Sequence, residues 1–380
     1  MLVHLAVLLS ILQGISLRGA KMVLSLSALA QGATPFQVGL LAATFPVFPL
    51  LLAVYAGRVS DRRGVMGPLV GGAFGMGAGL LVPLAWPSFA GLVACAFLVG
   101  FAQIFFHVAI HNLIGAFGGG EARTRNFATF SLGSSIAAFF GPSICGLTID
   151  HAGYMATFVV MAVIAALPAV ILLAYPRIVP PGAGPGKGEP AGGSAELLRN
   201  PGLVRTLVMS GVTLTGIELF TFYFPVYGRG IGLSATAIGL VMACYAVAAF
   251  IVRSGMPHAT RAMGEVGVLT ASLFMAGLTF LLVPFVSHAL LLGGVAFLLG
   301  IGLGCAQPLT IILTYNHAPE GRAGEALGMR LTVNKATQIF VPLVFGAMGT
   351  ALGLLPVFWA TGAFLLAGGA VSALEKRRKP

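Results

Sequence analysis

Apolar residues dominate this chain in long runs, and short polar stretches separate them. Runs long enough to cross about 30 Å of hydrocarbon need about 20 apolar residues. Read that way, the pattern predicts twelve segments, near 2–30, 36–57, 66–86, 88–117, 126–149, 153–175, 204–228, 235–254, 265–286, 288–315, 323–350 and 354–374. Most connections are only a few residues long. The exception is PRIVPPGAGPGKGEPAGGSAELLRN, from Pro176 to Asn200, which is rich in Gly and Pro and reads as a flexible linker. It divides the chain into 1–175, a linker region 176–203, and 204–380, with six segments on each side.

A shift of 200 residues brings the two groups into register. Gly32, Val38, Gly39 and Leu40 fall on Gly232, Ile238, Gly239 and Leu240. Gly64 falls on Gly264, Gly100 on Gly300, Pro142 on Pro342 and Gly146 on Gly346. One glycine match means little in a chain with 53 glycines, but the set keeps a single register across several segments. Parallel repeats of this kind, related by an axis along the membrane normal, build transporters with the substrate site between the halves. The expected fold is an all-α membrane protein, with twelve transmembrane helices in two pseudo-symmetric six-helix bundles.

Charge refines the topology. Only 8% of the 380 residues are charged, against about 25% in soluble domains. The net charge of +11 might suggest nucleic acid as partner, but the placement of the basic residues argues otherwise. An even number of crossings puts both termini on one side. That side collects Arg58, Arg62, Arg63, Arg123, Arg125, Arg177, Lys187, Arg199, Arg205, Arg253, Arg261, Arg322 and Lys376 to Lys379, which is 16 of 21 basic residues. The opposite loops hold Arg229, and Arg18, Lys21, Arg330 and Lys335 lie within segments. The positive-inside rule then makes the termini and linker cytoplasmic, in a bacterial-type inner membrane. Cys95, Cys145, Cys244 and Cys305 stand singly in apolar runs, with no metal or disulfide spacing. Ala28-Leu29-Ala30 superficially resembles a signal cleavage site, but residues 2–17 are apolar where a charged leader region should stand.

Between the second and third segments the chain reads GRVSDRRG, four charges in eight residues. Gly57, Asp61, Arg62 and Gly64 fill the pattern Gly-x-x-x-Asp-Arg-x-Gly. With six plus six segments and a central linker, the chain resembles the major facilitator superfamily over essentially its whole length. The resemblance implies a carrier working by alternating access, in which this loop (Gly57, Arg58, Asp61, Arg62 and Gly64) controls opening at the cytoplasmic face. Asp61 is expected near the N-terminus of the third helix, where the helix dipole favours a negative charge. The basic residues that usually follow the motif are absent, and Asp61 becomes Arg261 in the second half, so gating is expected to be asymmetric. Gly141-Pro142 partly matches a motif of proton-driven exporters, and equally reads as a helix kink with close packing. The arginine that drug/proton antiporters carry in the fourth helix has no counterpart in FLVGFAQ, residues 97–103.

Ionisable residues inside a bilayer are costly and face a cavity or a partner. The resemblance implies that the first, fourth, seventh and tenth helices line the cavity. Arg18 and Lys21 share a face of the first helix, and the 200-residue shift sets Arg18 opposite Glu218, so an Arg18–Glu218 pair is expected. Glu218, the lone acidic residue near the middle of any segment, is the first proton-coupling candidate. His107 is the second, because imidazole titrates near neutrality. Gln103, His107 and His111 form a stripe at spacings of four; Gln307, Thr310 and Thr314 continue the matching face of the tenth helix. Two His at i and i+4 suit a metal, but no inward carboxylate or Cys completes a site. Arg330, Asn334 and Gln338 share a face of the eleventh helix. The excess of positive charge favours small anionic substrates, which guanidinium groups bind bidentately.

The reading is a secondary transporter of a small organic solute that needs no cofactor and works as a monomer in the lipid bilayer, with protons as coupling ion. An exporter of amphipathic drugs or metabolites by proton antiport is the alternative within the class, with Phe45, Phe105, Phe106, Phe220, Phe222 and Tyr223 as pocket residues. A non-transporting sensor or scaffold is the alternative outside it. No catalytic constellation or phosphate-binding loop speaks for an enzyme or an ATP-driven pump.

Overall fold

The computed structural model describes residues 2–116, 120–175, 197–319 and 322–376. All regular structure among them is helical. Helices α1 (Leu2–Ala30), α2 (Pro35–Thr44), α3 (Val47–Arg63), α4 (Met66–Ala85), α5 (Phe89–Ala116) and α6 (Gly120–Ala174) build the first half. Helices α7 (Pro201–Gly230), α8 (Ala235–Met263), α9 (Glu265–Leu282), α10 (Ala289–Gly304), α11 (Ala306–His317), α12 (Ala323–Leu352) and α13 (Leu354–Lys376) build the second.

Twelve crossings result, although their ends differ from the expected ones. The second crossing is α2 plus α3, interrupted at Phe45 and Pro46 because a proline has no N–H to continue the ladder. The fifth and sixth form one run, α6, which reverses at Gly153 with φ of +81°. The tenth breaks between α10 and α11 at Cys305, three residues before Pro308. Pro308 leaves the carbonyl of Gly304 without its helical donor.

The repeat read from sequence reappears in the backbone. Six glycines have positive φ, and they form three pairs 200 residues apart: Gly32 and Gly232, Gly64 and Gly264, Gly153 and Gly353. Each ends a helix where a Cβ would be strained. The helices that follow two of them start alike. Thr34 caps α2 by accepting from Gln37 N at 3.4 Å, and Ser234 caps α8 by accepting from Ala237 N at 3.1 Å. The two halves are therefore copies of one supersecondary plan.

The outer surface is far more apolar than that of a water-soluble protein. Leu51, Val163, Leu278 and Phe340 are exposed, whereas Gln13, Glu218, Arg330 and Asn334 are buried. That distribution fits a surrounding solvent as apolar as a side chain, with polar groups satisfied internally.

The halves meet through α2 against α12 and α6 against α8. A Cβ on Gly39 would collide with the carbonyl of Pro342, and one on Gly239 with that of Pro142. Both contacts stand at the end of the bundle opposite the termini. At that end Phe36 N donates to Thr350 Oγ1 at 2.9 Å, joining α2 to α12. At the pseudo-symmetric place the N-terminus of α8 meets Asp150, at the turn between the fifth and sixth crossings. Ala235 N and Thr236 N donate to Asp150 Oδ1 and Oδ2 at 3.1 and 2.7 Å. This end is sealed by backbone, two polar caps and four closely approached residues.

Candidate functional site

A cavity of about 350 Å³ lies between the halves. It runs from the level of Lys21, Pro142 and Glu218 toward the end that carries the termini, reaching Ser10, Ile110, Phe130 and Arg253. Helices α1, α5 and α6 form one wall, and α7 and α8 the other. Of the polar residues proposed from sequence for the cavity, Arg18, Lys21, Gln103, His107 and Glu218 line it, and of the aromatic ones Phe106 and Phe220.

The inner end of the cavity is an ion pair between halves, but its members differ from expectation. Lys21 Nζ stands 3.6 Å from Glu218 Oε2, and Arg18 does not pair with Glu218. Packing explains the exchange. The Cβ of Arg18 sits against Gly141 of α6, which sends the guanidinium along α6 to Ser134 Oγ, where Nη2 donates at 2.9 Å. Lys21, one turn closer to the sealed end, takes the carboxylate instead. Its ammonium also lies over the Phe222 ring, 5.0 Å from the centroid, and 5.9 Å from that of Phe45.

Glu218 is held on its other side by α12. Gln338 Nε2 donates to Glu218 Oε1 at 2.8 Å, and Lys335 Nζ donates to Gln338 Oε1 at 3.0 Å. An ion pair from Lys21 to Glu218 and charge-assisted hydrogen bonds through Gln338 to Lys335 thus form one chain across the two halves. The Glu218 side chain is 7% exposed, against 18% for Lys21, so the carboxylate is the deeper partner. Neutralising the carboxylate or removing its cation changes the bond that joins the halves.

Besides Gln338, which stands behind Glu218, five candidates lie off the cavity wall. Arg330 is buried within the second half, where Nη2 donates to Gln307 Oε1 at 2.7 Å and to Thr310 Oγ1 at 3.0 Å. Asn334 accepts from Ser210 Oγ at 2.8 Å. Arg330, Gln307, Thr310 and Asn334 are not among the cavity-lining residues; they join α11, α12 and α7 to one another. His111 also lies off the cavity wall. Its ring stacks 4.2 Å from that of His107 and 4.7 Å from that of Phe130, and its Nδ1 is 2.7 Å from the His107 carbonyl. Periodicity gave the right helix faces, but a face of α11 or α12 turns toward its own half as readily as toward the centre.

In the charged loop, α3 runs through Arg63 and ends on Gly64, with φ of +78°. Asp61 therefore closes α3 instead of opening α4, because the stop lies three residues beyond it. Arg58 and Arg62 are exposed, and no atom lies within 4 Å of a Cβ on Gly57. The side chains of Asp61 and Arg63 lie outside the described residues, as does most of the linker. Buried Ser60 accepts from Asn112 Nδ2 at 3.1 Å, tying this end of α3 to α5.

Among the polar groups on the cavity wall that sequence reading missed are Ser134, Ser135 and Arg253. Arg253 was counted among the residues of the loops, because the apolar run ends beside it. It lies instead well inside α8, which continues to Met263. Its Nε donates to the Gly304 carbonyl at 2.9 Å, the acceptor that Pro308 leaves free, and its Nη1 donates to Ser135 Oγ at 3.0 Å.

Asp150 gives the sealed end a pH sign. Burial pushes its carboxyl up, but hydrogen bonds from the Thr236 hydroxyl and from the backbone of Thr236 and Ala235 outweigh that and hold it below the usual carboxylate value. A lowered native pKa contributes stability above the unfolded value of about 3.9, lost as pH falls through the native one. Asp150→Ala should cost about 1 kcal/mol, the scale of a lost helix cap. A fall in Tm at neutral pH that shrinks in acid checks this.

Two helical halves around a polar chamber, sealed at one end and crossed by an ion pair, define a membrane carrier. The chain belongs to the Major Facilitator Superfamily, which it matches over residues 6–335 and 231–380. It is 25% identical to the multidrug resistance protein MdtG of Yersinia enterocolitica over 356 residues, covering 88% of this chain and 82% of that protein. The MdtG of Escherichia fergusonii is 24% identical, with 88% and 83% covered. Among solved structures, a POT family transporter in complex with 5-aminolevulinic acid superposes with a TM-score of 0.81 at 12% identity, over 99% of this chain and 96% of that one. A bacterial homologue of the human lysosomal transporter Spinster, inward-facing and occupied, gives 0.80 at 14% identity, over 99% and 96%. These likenesses establish the fold and membrane transport as its class.

Proposed function

We propose that the chain is a secondary active transporter of small organic anions, in which the two halves rock about the central cavity and Glu218 carries the coupling proton. The observation that carries the reading is the charge balance of the cavity wall. Arg18, Lys21 and Arg253 face one carboxylate, Glu218, and that carboxylate is already engaged by Lys21. Among the described residues neither guanidinium has a carboxylate partner, so the wall is left with positive charge.

The positive-inside rule places the open end at the cytoplasm and the sealed end outside. In that orientation a proton reaches Glu218 from outside only after the Gly39–Pro342 and Gly239–Pro142 contacts part. Protonation removes the charge that holds Lys21 and loosens the bond between halves. His107, on the same wall, is the second group able to relay a proton.

Flux into proteoliposomes, comparing aromatic and aliphatic carboxylates with lipophilic cations, tests the reading. Carboxylate flux is expected, and Arg18→Ala should raise KM about tenfold or more, the scale of a lost bond to a charged group. Flux of cations alone would overturn the anion assignment. A second reading, export of amphipathic drugs by proton antiport, is favoured by the multidrug relatives and by Phe106, Phe130 and Phe220 on the wall. Under that reading cation flux dominates and Arg18→Ala leaves it unchanged.

A further inference from the structure

The two arginines of the cavity share an anchoring helix. Arg18 comes from the first half and Arg253 from the second, yet both bind α6. Arg18 Nη2 donates to Ser134 Oγ and Arg253 Nη1 to Ser135 Oγ, at 2.9 and 3.0 Å. The two acceptors are consecutive residues, with Cα atoms about 3.8 Å apart. Like charges are thus held on neighbouring residues of one helix, although they repel.

The anchoring also orients what is left over. Arg253 spends Nε–H on the carbonyl freed by Pro308, and one Nη1–H on Ser135. Among the described residues, three of its five guanidinium N–H donors find no protein acceptor, and four of those of Arg18. The serine hydroxyls accept from the arginines, and among the described residues neither donates to a protein acceptor. All four side chains line the same cavity. Donors in excess and two positive charges, with the Glu218 carboxylate of the same wall engaged by Lys21, make a receptor for negatively charged oxygens.

We infer that Arg18, Arg253, Ser134 and Ser135 form an oxyanion site that spans the two halves, taking a carboxylate, phosphate or sulfate group whose oxygens are shared between the two guanidinium groups. The inference rests on the anionic reading above and deepens it by locating the anionic end of the ligand. It also assigns a role to Arg253, as the second-half member of the clamp. An oxyanion seated there neutralises the repulsion between the arginines, so the cavity end near the termini closes more readily when it is filled. Lys21 and Glu218, toward the sealed end, stay separate from it and free to exchange a proton.

The oxyanion could belong to a soluble solute or to a lipid headgroup, and the probes separate the two. Purified protein in neutral detergent is titrated with sodium sulfate, with sodium benzoate and with lysophosphatidylglycerol, against sodium chloride at equal ionic strength, with Tm read by intrinsic fluorescence. Stabilisation by sulfate and benzoate assigns the site to soluble anions. Stabilisation by lysophosphatidylglycerol alone assigns it to a headgroup. In either case the apparent affinity should fall at least about tenfold in Arg253→Gln and in Arg18→Gln, and hold within about twofold in Arg330→Gln. Arg253→Lys keeps the charge but loses the fork, so it should bind with intermediate affinity. If Arg253→Gln fails to fold, the Ser134→Ala, Ser135→Ala double variant carries the same test, with an expected loss of about fivefold. Anion affinity unchanged in the Arg253 or serine variants would overturn the inference while leaving the anionic reading intact. No stabilisation of the wild-type protein by any of the three anions would remove that reading itself.

Discussion

With Glu218 replaced by Gln, accumulation driven by a pH gradient should fall by about 100-fold or more, while exchange of labelled for unlabelled substrate persists. The amide keeps the hydrogen bond that Gln338 supplies at 2.8 Å, so the architecture of the inner end is preserved. What disappears is the titratable group and the negative charge that Lys21 approaches to 3.6 Å. Lys21 retains the faces of Phe45 and Phe222 and access to the cavity, which spares it the full penalty of an unpaired buried charge. Exchange needs both conformations but no net proton movement; accumulation needs the proton. Paired assays in proteoliposomes separate them. Unchanged pH dependence in the variant would move the coupling to His107.

The second large effect concerns the seal. Gly239→Val should reduce flux by about 100-fold and bias the protein toward the conformation open at the opposite end. A Cβ there meets the Pro142 carbonyl inside van der Waals contact, and two further methyl groups increase the clash. Overpacking of a well-fitted contact costs about 1–3 kcal/mol, which shifts a two-state equilibrium about 5- to 150-fold. Gly39→Val should act alike through Pro342, because the pseudo-symmetric contact is built from the same parts. Gly57→Val, in contrast, meets no neighbouring atom and should leave the seal untouched. Accessibility of a cavity cysteine from each face reads the shift directly. Wild-type flux in Gly239→Val would mean that this contact does not part during the cycle.

The fold was legible because two signals of different origin agreed. Apolar run length reports the thickness of the bilayer, and the 200-residue shift reports duplication. The three pairs of positive-φ glycines are the structural counterpart of that shift, since a helix stop of this kind needs a residue without Cβ. Helix breaks were less legible. Pro46 and Pro308 interrupt crossings, whereas Pro142 and Pro342 sit inside continuous helices, and local sequence does not separate the two cases.

For the candidate site, sequence identified charged residues within segments and not their partners. Arg18 and Glu218 are equivalent under the shift, yet the small Gly141 diverts the Arg18 stem toward α6 and leaves Glu218 to Lys21. Arg330 shows the opposite limit. It is 4% exposed and supported by Gln307 and Thr310 of the same half, a contact between the tenth and eleventh crossings that no periodicity encodes. Arg253 was hidden by its position at the end of an apolar run. The residue that betrays it is Pro308, because a proline-freed carbonyl in a bilayer requires a donor from elsewhere.

Alternation of access around the cavity is the claim on which the rest depends. Gln103 lines the cavity wall away from the ion pair, so Gln103→Cys, with Cys95, Cys145, Cys244 and Cys305 replaced, reports on it directly. An impermeant thiol reagent should label position 103 from the face that carries the termini in the resting protein, and from the opposite face once an imposed proton gradient and substrate drive the cycle. Labelling that stays confined to one face in every state, or fails from both, would contradict the account.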